Sequence, residues 1–293
     1  LTTLVVGADG QLGTALSRLF TRVARPFLAT TRRRESSSTD RVYLDLLSPP
    51  SEWRLPETID AAVVCAAASK SDACERDPVG TRRVNVEGTV TLAREVAKRG
   101  GRIIFLSSNQ VFDGSAMLPS IDTPVSPITE YGRQKAEAEA QLMSLHPSAV
   151  TILRLTKVLG KDNALFTEWM RALRGGETIR PFRDMHIAPI PVTAVTSVVS
   201  LLLELDAPGI FHLSAERDVP YDEVALHALR ATGATDRQVV PVNTRDVLGS
   251  QPFPRYSALG MDATSVRLGL NPPTADWTLS RAFDQSGALE SIT

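Results

Sequence analysis

Within its first 22 residues the chain sets an apolar strand, Leu4-Val5-Val6, directly before Gly7-Ala8-Asp9-Gly10-Gln11-Leu12-Gly13 and an amphipathic helix reaching about Arg22. A glycine spacing alone says little. Between a strand and a helix it suits a tight turn that aims the free N–H groups of a helix start at a phosphate. Gly7 permits the sharp turn, Gly10 lets the backbone approach a pyrophosphate, and Gly13 lets helix and strand pack closely. Asp9, Gln11 and Leu12 complete this cofactor-binding loop. The same alternation then recurs: 27–30, 61–66, 102–106 and 150–155 read as strands, with helices at 81–99 and 131–144. Strands alternating with helices imply right-handed parallel crossovers. The expected fold is therefore α/β, a Rossmann-type doubly wound parallel sheet.

Beyond residue 159 the pattern loosens. A helix over 164–174 stops at Gly175-Gly176, and Pro181, Pro189 and Pro191 forbid a continuous helix after it. A helix at 192–205, a strand at 209–213 and a helix at 221–232 follow, with loops as the remainder. We expect residues 1–155 to form the NAD(P)-binding domain, with about 190–212 packing back onto it. Residues 156–293 would form mainly a smaller C-terminal substrate-binding lobe. Trp169 and Trp277 stand at helical, apolar positions and are expected in the core.

With 293 residues and a formal net charge of −1, the chain can bury a large core and carries no global field for nucleic acid or membrane. A small-molecule partner is the expectation. Two cysteines, Cys65 and Cys74, are too few and too poorly spaced for a disulfide framework or a zinc site, and no metal is expected. The apolar run 195–205 is too short to span a bilayer. The opening residues read as a strand rather than a secretory leader. A cytoplasmic protein with reduced thiols is expected.

The chemistry concentrates in Leu106-Ser107-Ser108-Asn109-Gln110-Val111-Phe112 and Tyr131-Gly132-Arg133-Gln134-Lys135. Positions i and i+4 share one helical face, which sets the Lys135 ammonium beside the Tyr131 phenol. A free phenol has a pKa of about 10, and a nearby cation is expected to lower it. Tyr131 could then move a proton while Ser108 holds the oxygen concerned, the apparatus for interconverting a carbonyl and an alcohol. At the end of the second strand, Thr30-Thr31-Arg32-Arg33-Arg34 offers no acid before Glu35. A carboxylate there binds a ribose diol, whereas arginine accommodates a 2′-phosphate. Arg32 and Arg33 thus favour NADPH over NADH. Asp45 and Leu46 would flank the adenine, and the small Ala66, Ala67 and Ala68 would let backbone approach the cofactor ribose.

Together with Asp72-x-Cys74-Glu75 and Val84-Asn85-Val86-x-Gly88-Thr89, these motifs resemble an extended short-chain dehydrogenase/reductase over the first 155 residues. Within that superfamily the chain is most similar to the dTDP-4-dehydrorhamnose reductase group, which acts on nucleotide-linked 4-keto sugars. The likeness lies in Gly10-Gln11-Leu12-Gly13, in Val111-Phe112-Asp113-Gly114 with Pro127 and Tyr131-Gly132, and in Pro254-Arg255-Tyr256-Ser257-Ala258-Leu259 with Asp262 and Leu268-Gly269-Leu270. The resemblance implies an NADPH-dependent oxidoreductase in which Ser108 orients the carbonyl and Tyr131 gives the proton. Lys135 would bind the ribose and tune Tyr131, and Asn85 would hold a helix bend and a relay water. It also allows a homodimer.

The departures lie in the pocket. The family commonly has Asp-Tyr where this chain has Asn109-Gln110, and a tryptophan where Lys157 stands. Its Gln-Phe-Gly-x-Pro-Thr stretch is replaced by Met185-His186-Ile187-Ala188-Pro189-Ile190. Asn109, Gln110, Lys157, Arg183 and His186 are the candidate substrate-binding residues, the last three as basic groups for a diphosphate. Two other functions remain open: a non-catalytic NADP-binding regulatory subunit, and an epimerase or dehydratase of nucleotide sugars.

Overall fold

A computed structural model describes residues 2–160, 163–249 and 253–284. In chain order it contains β1 (Thr3–Val6), α1 (Gln11–Arg22), β2 (Phe27–Thr31), β3 (Arg41–Tyr43), β4 (Ala61–Val64), α2 (Ser71–Arg76), α3 (Pro78–Arg82), α4 (Thr89–Ala97), β5 (Arg102–Ser108), α5 (Glu130–Leu145) and β6 (Val150–Leu155). It continues with β7 (Lys157–Leu159), α6 (Ala164–Arg174), β8 (His186–Ile187), β9 (Pro189–Pro191), α7 (Val192–Leu205), β10 (Gly209–Leu213), β11 (Val219–Pro220), α8 (Tyr221–Thr232), α9 (Thr244–Leu248), α10 (Asp262–Leu268) and α11 (Ala275–Phe283).

One seven-stranded sheet runs in the order β10-β6-β5-β4-β1-β2-β3, every pairing parallel. Its side chains alternate between two cores. Val5, Val63, Ile104 and Leu153 meet Leu16 and Phe20 of α1 and Val195 and Val199 of α7. Val6, Val64, Phe105 and Ile152 meet Val90 of α4 and Ala138 and Leu142 of α5. Burial on both faces explains the near-continuous apolar runs in the strands. The chain winds outward from β1 to β3, then reverses to β4, β5 and β6. That reversal opens a crevice at the carboxyl ends of the strands, the usual place for a ligand in such sheets.

The first core does not stop at the sheet. It continues through Phe166, Trp169, Val224, Leu279 and Phe283, so α6, α8 and α11 share one apolar interior with α1 and α7. Two short sheets, β7 with β9 and β8 with β11, connect this C-terminal region to the crevice. No helix among the described residues is long and apolar enough to cross a membrane.

Several local expectations need correction. The continuous helix over 81–99 is divided: α3 starts at Pro78, capped by Asp77, and a π-helical turn spans Arg83–Gly88 before α4. Buried Asn85 sits in that turn, and π-turns inside helices are frequent at functional sites. The expected C-terminal loops contain α9, α10 and α11, helices short enough to depend on packing rather than propensity. Trp169 is buried, but Trp277 is 40% exposed, with the Arg281 guanidinium over its ring, and so is not a core residue.

Candidate active site

A cleft of about 610 Å³ follows the carboxyl ends of β1, β4, β5 and β6, and His186, Tyr221 and Pro254 help to close its far side. The glycine turn forms one end. Gly7 has φ +82°, and a Cβ there would lie 2.8 Å from Ala66. A Cβ on Gly13 would collide with the Gly7 carbonyl. At Gly10 a Cβ would meet nothing closer than 3.5 Å, so the chain's own packing does not demand glycine there. Gly10 faces the cleft with Gln11 and Leu12, and no side chain caps α1. A bare turn and a free helix start fit the pyrophosphate of a dinucleotide.

Local bonding fixes the other end. The Thr129 hydroxyl caps α5 by accepting from the Gly132 N–H at 3.0 Å, and it donates to Gln110 Oε1 at 2.9 Å. Any side chain at Gly132 would strike the Gln110 carbonyl, so α5 approaches the end of β5 at backbone distance. This seats Tyr131 in the first turn of α5, which packs against the end of β5 that carries Ser108. Ser108, Tyr131 and Lys135 all line the cleft.

Their electrostatics run against the sequence expectation. Burial holds the Tyr131 phenol well above its usual range instead of below it. Lys135 is only 2% exposed, and desolvation lowers its pKa to about 8 while Glu139 partly opposes the shift. The ammonium donates to the Leu106 carbonyl at 2.7 Å and lies 4.2 Å from the Phe105 ring centroid, against 5.8 Å for the Tyr131 ring. Desolvation therefore dominates both groups. Behind them Glu139 accepts from Ser107 and pairs with Arg154 at 2.7 Å. Arg154 in turn abuts His212, whose pKa burial and that cation lower to about 4.

Asn85 lies behind the cleft wall. Its Oδ1 accepts from the Ala68 N–H at 2.8 Å, and its Nδ2 donates to Ala68 O at 3.0 Å and to Gln134 Oε1 at 2.8 Å. It ties the loop after β4 to α5. Ala67 lines the cleft and Ala66 packs on Gly7. Cys65 also faces the cleft, but burial raises its pKa to about 12 and keeps it a thiol.

Of the candidate substrate residues, Asn109, Gln110, Lys157 and His186 line the cleft. Asn109 Nδ2 donates to the carbonyl and hydroxyl of Ser257 at 3.1 and 3.0 Å, which draws the C-terminal segment over the site. Lys157 is solvent-accessible, yet the cleft walls lower its pKa. Arg183 is not brought in: it is exposed, outside the cleft, and bonded to the Pro241 carbonyl at 3.2 Å. Its chain neighbours Met185 and Ile187 face the cleft instead. Sequence reasoning missed Thr156 and Tyr221, both in the lining, and had no local signal for either. Tyr256 belongs to the C-terminal motif already noted.

The carboxyl ends of β2 and β3 lie outside this cleft. Arg32 and Arg33 are exposed there, and neither guanidinium has an ion-pair partner among the described residues. Arg34 is occupied, paired with Glu52 and stacked over Tyr43. An acid does stand at this rim, contrary to the reading of β2 alone. Asp9 accepts from the Thr31 hydroxyl at 2.7 Å and is ion-paired with Arg41. Asp45 and Leu46 follow β3; Asp45 caps the N–H of Leu47, while Leu46 is buried in the core. Among the described residues no cluster of three His, Cys, Asp or Glu side chains is arranged to hold a metal.

The doubly wound sheet and its bare glycine turn define a Rossmann-type α/β protein. More narrowly, the chain belongs to the family described as the RmlD substrate binding domain, whose model matches residues 1–287. A dTDP-4-keto-6-deoxy-D-glucose reductase of Streptomyces niveus is 31% identical over 98% of both chains. The crystal structure of dTDP-4-dehydrorhamnose reductase from Bacillus anthracis in complex with NADP superposes with a TM-score of 0.81 at 22% identity, covering 96% of this chain and 97% of that one. A UDP-glucose 4-epimerase of Thermotoga maritima with UDP-glucose reaches 0.80 at 18% identity over 97% of both chains, so the fold itself spans more than one reaction.

Proposed function

We propose that this protein is an NADPH-dependent reductase of a nucleotide-linked 4-keto sugar. The observation that carries the reading is the convergence of Ser108, Tyr131 and Lys135 in one cleft that begins at the bare turn around Gly10. Gly7, Gly10, Gln11, Leu12 and Gly13 would hold the pyrophosphate, Ala66 to Ala68 the adjoining ribose, Asp45 and Leu46 the adenine, and Arg32 and Arg33 the 2′-phosphate. When bound, the cofactor supplies the hydride.

The chain's own part is proton transfer and orientation. A phenol held above its usual pKa stays protonated at neutral pH, the form a reduction needs in its acid. Tyr131 gives that proton to the carbonyl oxygen while the Ser108 hydroxyl donates to the same oxygen. The Lys135 ammonium stabilises the charge left on Tyr131. Lys157 and His186 face the substrate diphosphate, and Asn109 and Gln110 shape the sugar pocket. Asn85 acts one layer back by fixing the loop at Ala68.

The test is oxidation of NADPH by purified protein across a panel of dTDP- and UDP-linked 4-keto sugars. We expect turnover with at least one member, one alcohol being formed per NADPH consumed. Tight NADPH binding with no oxidation across the panel would replace this reading with a non-catalytic nucleotide-binding role.

A further inference from the structure

The rim beyond the cleft carries an arrangement that the β2 sequence does not reveal. Asp9 comes from the glycine turn, yet the Thr31 hydroxyl donates to it at 2.7 Å and so fixes its carboxylate at the carboxyl end of β2. The same hydroxyl accepts the Arg33 N–H at 3.1 Å, which joins the acid to the arginine loop. Arg41, from β3, reaches up and ion-pairs with Asp9; both side chains keep partial solvent contact, at 35% and 27% exposure.

A carboxylate in this place accepts hydrogen bonds from an unmodified ribose diol and repels a 2′-phosphate. A guanidinium does the reverse. We propose that the Asp9–Arg41 pair sets the discrimination between NADPH and NADH, with Arg41 cancelling the Asp9 charge and so making the rim acceptable to a 2′-phosphate. The inference rests on the nucleotide-binding reading above and not on the identity of the sugar.

The experiment is direct binding of NADPH and of NADH to the full chain at low salt, by nucleotide fluorescence. Arg41→Ala should weaken NADPH by about tenfold with NADH unchanged or tighter, because an unpaired carboxylate then faces the phosphate. Asp9→Asn should move the ratio the other way by about threefold, favouring NADPH, since only the repulsive charge is removed. Arg41→Lys should keep most of the NADPH preference. Both shifts should shrink as salt rises, because the groups are partly exposed. Equal weakening of both cofactors by Arg41→Ala would reduce the pair to a loop brace and overturn the inference. So would shifts of the same sign in the Arg41→Ala and Asp9→Asn variants. If the unaltered chain bound neither cofactor, the proposed function would fall with it; binding of both with ratios unmoved would remove this inference alone.

Discussion

The two ends of the ligand crevice use charge in opposite ways. At the proposed catalytic end Tyr131, Lys135, Glu139, Arg154 and His212 are all buried, and desolvation moves the pKa of Tyr131 up and those of Lys135 and His212 down. At the proposed adenosine end Arg32 and Arg33 are exposed. A buried group acts strongly on a neighbour but folding carries the cost of burying it. An exposed one adds little to or subtracts little from stability, and salt screens it. On the proposed function, chemistry and recognition are thus separated along one sheet edge. Substitutions at the two ends should differ in size, in pH dependence and in salt dependence.

The largest effect is expected at Tyr131. Tyr131→Phe removes the proton donor and leaves the ring, so kcat should fall by about 10²–10⁴-fold, with NADPH affinity nearly unchanged. Single-turnover kinetics beside a binding titration would check it. Turnover within tenfold of the unaltered protein would move the proton donor elsewhere and erase the distinction drawn between the two ends.

Lys135 gives an intermediate effect that is visible without substrate. Its pKa is about 8 in the folded chain against 10.5 for an ordinary lysine. Below pH 8 both folded and unfolded chains hold the proton, and folding bears the whole cost of the buried charge. Between about 8 and 10.5 the folded chain releases the proton first, so stability rises with pH across that window. Lys135→Met removes the charge and, with it, the bond to the Leu106 carbonyl. At pH 7 the variant should be more stable by about 1–3 kcal/mol, yet nearly inactive. Denaturant melts at pH 7 and pH 10 should show the gain shrinking at the higher pH. A destabilised variant at pH 7 would show that Lys135 is held by attractive contacts and not against desolvation.

The same contrast explains what could be read from the chain. Tyr131 and Lys135 were legible because a four-residue spacing on one helix is local information, and the Gly7–Gly13 turn was legible because its flanking strand and helix are adjacent. The direction of the Tyr131 shift was not, since it depends on how deeply α5 beds against β5 at Gly132. Asp9 stands in the glycine loop, but its neighbours Thr31 and Arg41 come from two other strands, and only the sheet order β1-β2-β3 brings them together. Arg183 and His186 lie three residues apart in a proline-rich stretch without periodicity, so nothing local told which one faces the cleft. Trp277 occupied an apolar-looking helical position, but α11 turns Ala275, Leu279 and Phe283 inward and leaves it at the surface.

The smallest effect is expected at Arg32 and Arg33, and its salt dependence is the sharper measurement. Among the described residues neither guanidinium is anchored by an ion pair, so each loses side-chain freedom on meeting a 2′-phosphate, which offsets part of the electrostatic gain. Replacing both by alanine should weaken NADPH by roughly tenfold at low ionic strength while leaving NADH within about twofold. Raising salt to about 0.5 M should compress the NADPH effect, since the Debye length there is well under 10 Å. Thermal stability should hardly move, the reverse of the Lys135 result. If the double variant weakened NADH as much as NADPH, the arginine loop would be shaping the site rather than reading the phosphate, and recognition at this end would fall to the Asp9–Arg41 pair.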